Sequence, residues 1–71
     1  MKCIPVESSW VASVGYDGAS STLEIVLCDG HVYRYFEVPE RHFLELTSGA
    51  GSVGRYLNRH IRDAYRYRRV R

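Results

Sequence analysis

Seventy-one residues, 45% of them hydrophobic and 13% aromatic, are enough for one small folded domain and too few for a deep cleft around a large substrate. The net charge of +2 conceals a polarised chain: residues 55–71 carry seven arginines against Asp63 alone, a net +6, whereas residues 1–54 carry three cations against seven acids, a net −4. No apolar run approaches the roughly 20 residues of a membrane span and no apolar signal segment follows Met1-Lys2, so the composition predicts a soluble, cytoplasmic protein without membrane contact.

Residues 1–9 read as a leader interrupted by Pro5 and Ser8-Ser9. From Trp10 to Tyr16 the chain alternates, with Trp10, Ala12, Val14 and Tyr16 on one side and Val11, Ser13 and Gly15 on the other, the period of a strand. Asp17 to Ser21 is a turn of residues that bond their own backbone or tolerate positive φ. Thr22 to Cys28 is a second, β-branched strand, and His31 to Glu37 a third. Asp29-Gly30 between them fits a two-residue type I′ hairpin. That turn pairs Leu27 with Val32, Ile25 with Arg34 and Leu23 with Phe36. It predicts a core face of Leu23, Ile25, Leu27, Val32 and Phe36, and an opposite face of Glu24, Val26, Tyr33 and Tyr35.

Val38-Pro39 breaks the third strand, and Pro39 suits the first turn of a helix, where its missing N–H costs nothing. Residues 39–47 read as a short helix burying Phe43, Leu44 and Leu46, ended by Ser48-Gly49-Ala50-Gly51. Ser52 then caps a longer helix to about Arg66. On that helix Val53, Leu57, Ile61 and Ala64 cluster on one face with His60 beside them, and Arg55, Arg59, Arg62 and Arg66 fall nearly opposite. The predicted fold is α+β: a three-stranded antiparallel β-meander followed by a short helix and a longer C-terminal helix. Residues 6–67 form the core of a single domain and residues 68–71 a basic tail.

The arginine row carries the main functional signal. Its face has no acid, and guanidinium binds phosphate bidentately and stacks on bases. The spacing along a helix is of the same order as phosphate spacing along a strand. These residues point to RNA or another nucleic acid, with an acidic protein surface as the alternative partner and plain solvation as the plainest reading. Tyr33 and Tyr35, two apart on one strand, present rings that stack bases in sheet-based RNA binders or that pack on the C-terminal segment or Trp10. Gly49-x-Gly51-x-x-Gly54 spells a dinucleotide fingerprint, but it follows a helix and leaves seventeen residues for the rest of a βαβ unit, so that reading is rejected. What survives is an anion cradle at Gly51, Ser52 and Gly54 beside Arg55.

His31, His42 and His60 stand in separate elements without ligand spacing, and no CxxC pair occurs, so no metal or cofactor is expected. Cys3 and Cys28 read as reduced thiols. No nucleophile adjoins a recognisable base, so the chain is expected not to be an enzyme.

The ordered motifs Ser8-Ser9, Val14-Gly15-Tyr16-Asp17, Gly30-x-Val32-Tyr33-x-Tyr35, Val38-Pro39, Ser52-x-Gly54-x-Tyr56-x-Asn58 and Ile61-Arg62-x-x-Tyr65 resemble the KTSC domain family over Val6 to Val70. That family occurs at the C-terminus of some lysyl-tRNA synthetases and as free-standing small proteins. Its central YxY matches Tyr33 and Tyr35. The resemblance implies a free-standing module, hints at RNA, and brings no catalytic residues with it.

Overall fold

The computed structural model describes residues 3–49 and 51–71. Met1 and Lys2 of the expected leader, and Ala50 of the turn between helices, lie outside the described residues. The α+β class holds, but five antiparallel strands, not three, form one sheet among the described residues, in the order β1-β2-β3-β4-β5. They are β1 Cys3–Pro5, β2 Val11–Asp17, β3 Thr22–Leu27, β4 Val32–Tyr35 and β5 Tyr67–Arg69. The leader supplies one edge strand and the expected basic tail supplies the other.

Two local devices decide which side chains face inward. A bulge between Val11 and Ser13 breaks the alternation of β2, so Val11 and Val14 are both fully buried. Trp10 and Ala12, expected on the Val14 side, are exposed instead. The hairpin at Asp29-Gly30 is one residue longer than a type I′ turn. Gly30 N–H bonds Leu27 O at 3.0 Å, Leu27 N–H bonds His31 O at 2.8 Å, and Gly30 takes a φ of 95°. This is a three-residue loop ending in a left-handed glycine. The register therefore slips by one: Leu23 pairs with Tyr35, Ile25 with Tyr33 and Val26 with Val32. Residues directly paired across two strands share a face. Tyr33 and Tyr35 thus join Leu23 and Ile25 on the helix-covered side, and the expected face assignment is corrected.

Helix α1, Glu40–Thr47, follows Pro39 and buries His42 and Leu46. Phe43 is half-buried and stacks on Tyr16 at 5.7 Å, while Leu44, expected inside, is 57% exposed. The Tyr16 hydroxyl donates to Val38 O at 2.6 Å and ties the β4–α1 connection to β2. Helix α2 is a single α-helical turn, Val53–Tyr56, continued by a π turn, Leu57–Ile61, whose closing bond runs from Arg62 N–H to Leu57 O at 2.8 Å. The expected helix to Arg66 therefore stops at Ile61. Val53, Leu57 and Ile61 enter the core with Val11, Val14, Leu23, Ile25, Val38 and Leu46, whereas Ala64 and His60 remain exposed. No helix among the described residues is long and apolar enough to cross a membrane.

Candidate nucleic-acid interface

Because α2 ends early, the chain turns back along the sheet and β5 pairs with β4, placing Tyr35 opposite Tyr67, Arg34 opposite Arg68 and Tyr33 opposite Arg69. Tyr67 then meets Tyr33 edge-on at 5.8 Å between ring centroids and Tyr35 at 5.4 Å. These three rings, with Trp10, Arg62 and Asp63, line a cleft of about 500 Å³ between the sheet and α2. Leu57 and Ile25 close its floor. Tyr67 is 57% exposed and Trp10 is 38% exposed, so the rim offers aromatic surface to solvent. Burial raises the Tyr35 phenol above its usual value, with the neighbouring Tyr67 next in effect, so Tyr35 stays a neutral hydrogen-bonding group in ordinary buffers.

The sequence-predicted site residues do not form one comb. Arg55 lies in α2 and Arg59 in the π turn, both exposed. Arg62 follows the π turn and lines the aromatic cleft, while Arg66 lies beyond the helix in the segment that leads into β5. The Arg66 carbonyl accepts from Phe36 N–H at 2.9 Å. The anion cradle is also altered. Ser52 Oγ accepts from Arg55 N–H at 3.2 Å and is committed as a cap, and the helix it opens is a single turn. Gly54 is buried beneath the Trp10 indole, whose Cε2 would lie 3.0 Å from any added Cβ and whose Nε1 would collide with it. Gly51 stays exposed. Position 54 thus needs glycine because the indole needs the space, and the Trp10–Gly54 contact sets the cleft's far wall.

Sequence reasoning missed His42. Read in the sequence only as a histidine without ligand spacing, it is 7% exposed and held between two phenols, its Nδ1 2.8 Å from Tyr56 Oη and its Nε2 3.1 Å from Tyr65 Oη. One ring nitrogen donates to one tyrosine while the other accepts from its partner. His60 stacks on the group, at 4.5 Å from Tyr56 and 6.3 Å from His42. Burial lowers the His42 pKa below its usual value, and Arg41 and His60 add to the effect. The spacing of His42 and Leu46 by four was the available signal, since it puts both on one helix face. The network joins α1 to α2 and to the turn before β5.

On the other sheet face, Cys3 Sγ donates to Glu24 at 3.1 Å, and Arg34 Nε donates to the same carboxylate at 3.0 Å. Burial pushes the Glu24 carboxyl upward, but the bonds from Cys3 and Arg34 together with the Arg34 charge hold it below its usual value. Both cysteines are free, and no group of three metal-ligating side chains occurs among the described residues.

Residues 7–65 match the family model of the KTSC domain. The chain belongs to the KTSC domain family. A Tsukamurella paurometabola protein is 39% identical over 62 residues, covering 87% of this chain and 91% of that one. An uncharacterised Stutzerimonas stutzeri protein is 37% identical over 71 residues, covering 99% of each. The crystal structure of a KTSC domain protein from Yersinia pestis superposes with a TM-score of 0.88 at 35% identity, covering 99% of this chain and 97% of that one. The KTSC match spans Tyr33, Tyr35, Trp10 and Arg62 of the cleft, and ends two residues before Tyr67 and β5.

Proposed function

We propose that this KTSC protein is a non-catalytic cytoplasmic module that binds RNA or another nucleic acid in single-stranded form. The observation that carries the reading is the convergence of two signals that are separate in sequence. The C-terminal basic segment and the YxY strand lie side by side, so Tyr33, Tyr35 and Tyr67 share one cleft with Arg62. Aromatic faces stack on any base, and arginines beside them track phosphate. Arg69, paired with Tyr33, adds a cation beside the rings, and the exposed Arg55, Arg59 and Arg66 offer further charge outside the cleft.

Titration with single-stranded RNA at increasing salt tests this. Several arginine–phosphate contacts make log affinity fall linearly with log salt at about −0.7 per contact. A slope between −2 and −4 supports nucleic-acid binding. Absence of binding to RNA or DNA at low salt, together with capture of an acidic protein, replaces it with the protein-docking reading.

A further inference from the structure

We propose that the cleft receives one guanine base of the bound strand, chosen by Asp63 and Arg62, an inference that rests on the nucleic-acid reading above. Asp63 is the sole acid in residues 55–71. It lines the cleft with Arg62 and the tyrosines. It makes no hydrogen bond or ion pair with another described residue, so it neither neutralises an arginine nor caps a helix. A carboxylate there repels every phosphate that the surrounding arginines attract. It aids binding where the ligand offers N–H donors.

Base chemistry then decides which ligand. Guanine presents N1–H and the exocyclic N2–H side by side, a donor pair that matches two carboxylate oxygens. Adenine and cytosine place a ring nitrogen acceptor beside their amine, and uracil flanks its N–H with two carbonyls, so each sets a lone pair against the carboxylate. Arg62, the adjacent residue, is the matching partner for the neighbouring edge, because a guanidinium fork pairs with guanine O6 and N7. Its side-chain bond among the described residues, from Nη1 to Asn58 Oδ1, is long at 3.4 Å and engages one of its five donors. The walls supply affinity without choice: Trp10, Tyr33, Tyr35 and Tyr67 offer stacking to any base. A volume of about 500 Å³ falls within the range of small-ligand pockets and exceeds the bulk of one base, leaving room for its ribose.

Trp10 is the chain's one tryptophan and stands in the cleft wall, so its fluorescence reports occupancy directly. The full-length protein is titrated with a uridine octamer and with octamers carrying one central guanosine, adenosine or cytidine. The guanosine strand binds about tenfold more tightly than the others and quenches Trp10 most strongly. Asp63→Asn, a substitution at an exposed position, removes that preference while affinity for the uridine octamer holds or rises, since one negative charge is gone. Arg62→Lys, which keeps the charge and loses the fork, also narrows the preference. Equal affinity of the unaltered protein for all four strands overturns the guanine assignment and leaves the nucleic-acid reading standing. A guanosine preference that survives Asp63→Asn also overturns it. Failure of every strand to bind at low salt removes both readings.

Discussion

His42 has two hydrogen-bonding edges and a phenol on each, and its surroundings decide the protonation state in which it folds. Burial disfavours the imidazolium, and Arg41 and His60 disfavour it further, so the folded-state pKa lies below the usual 6.5. The unfolded chain then takes up a proton first as the pH falls. The stability that His42 contributes is complete above about pH 6.5 and declines as the pH drops from there through the lower folded-state value. Chemical denaturation between pH 5 and pH 8 should therefore show stability falling on the acid side. His42→Gln should flatten that profile while lowering stability by about 1–3 kcal/mol at neutral pH, through loss of one bond to Tyr56 or Tyr65. An unchanged profile in the variant would assign the acid sensitivity to other groups.

At the scale of elements, β5 matters most, because it turns a basic tail into a wall of the cleft. Its three cross-strand pairs with β4 are worth about 0.2–1 kcal/mol each. Truncation after Arg66 should lower stability by about 1–3 kcal/mol in urea denaturation and leave Tyr33 and Tyr35 without their contact to Tyr67. Unaltered stability would mean that β5 merely rests on the sheet. The sequence told of β2, β3, β4 and α1 through their periodicity and through Pro39, and Ser52 marked the start of α2. It did not tell where α2 ends. Arg55 to Arg66 fits a regular helical wheel, but the π turn at Leu57–Ile61, whose Leu57 and Ile61 enter the core, and the end of the helix at Ile61 interrupt it. Asp29-Gly30 was equally ambiguous. The same dipeptide closes a two-residue turn or the longer loop with left-handed Gly30, and the difference of one residue moved both tyrosines from the outer face to the cleft. The sequence set base stacking by these rings against packing on the C-terminal segment or Trp10. The structure shows the packing, with Tyr67 of the C-terminal segment against both rings, and also leaves Tyr35 lining the cleft while it packs on the core cluster.

Across the whole molecule, folding disperses the comb, and this separates the arginines by what each would do for a bound strand. Arg55 and Arg59 are exposed on α2 and its π turn and do not line the cleft, so on the proposed reading they meet phosphate alone. Arg62 stands in the cleft. Phosphate contacts position a strand and carry no sequence information, whereas contacts in the cleft act on a base. The double substitution Arg55→Gln with Arg59→Gln should therefore reduce the salt slope of RNA binding by about 1.4, at about 0.7 per lost contact, and weaken all strands alike. Trp10 quenching at saturation should stay unchanged, because the base still enters. Arg62→Gln should do the reverse, changing the saturating Trp10 signal by more than it changes the slope. Fluorescence titrations at four salt concentrations distinguish the two patterns. Equal effects of the two substitutions on slope and quenching would restore a single continuous arginine surface, as the helical wheel implied.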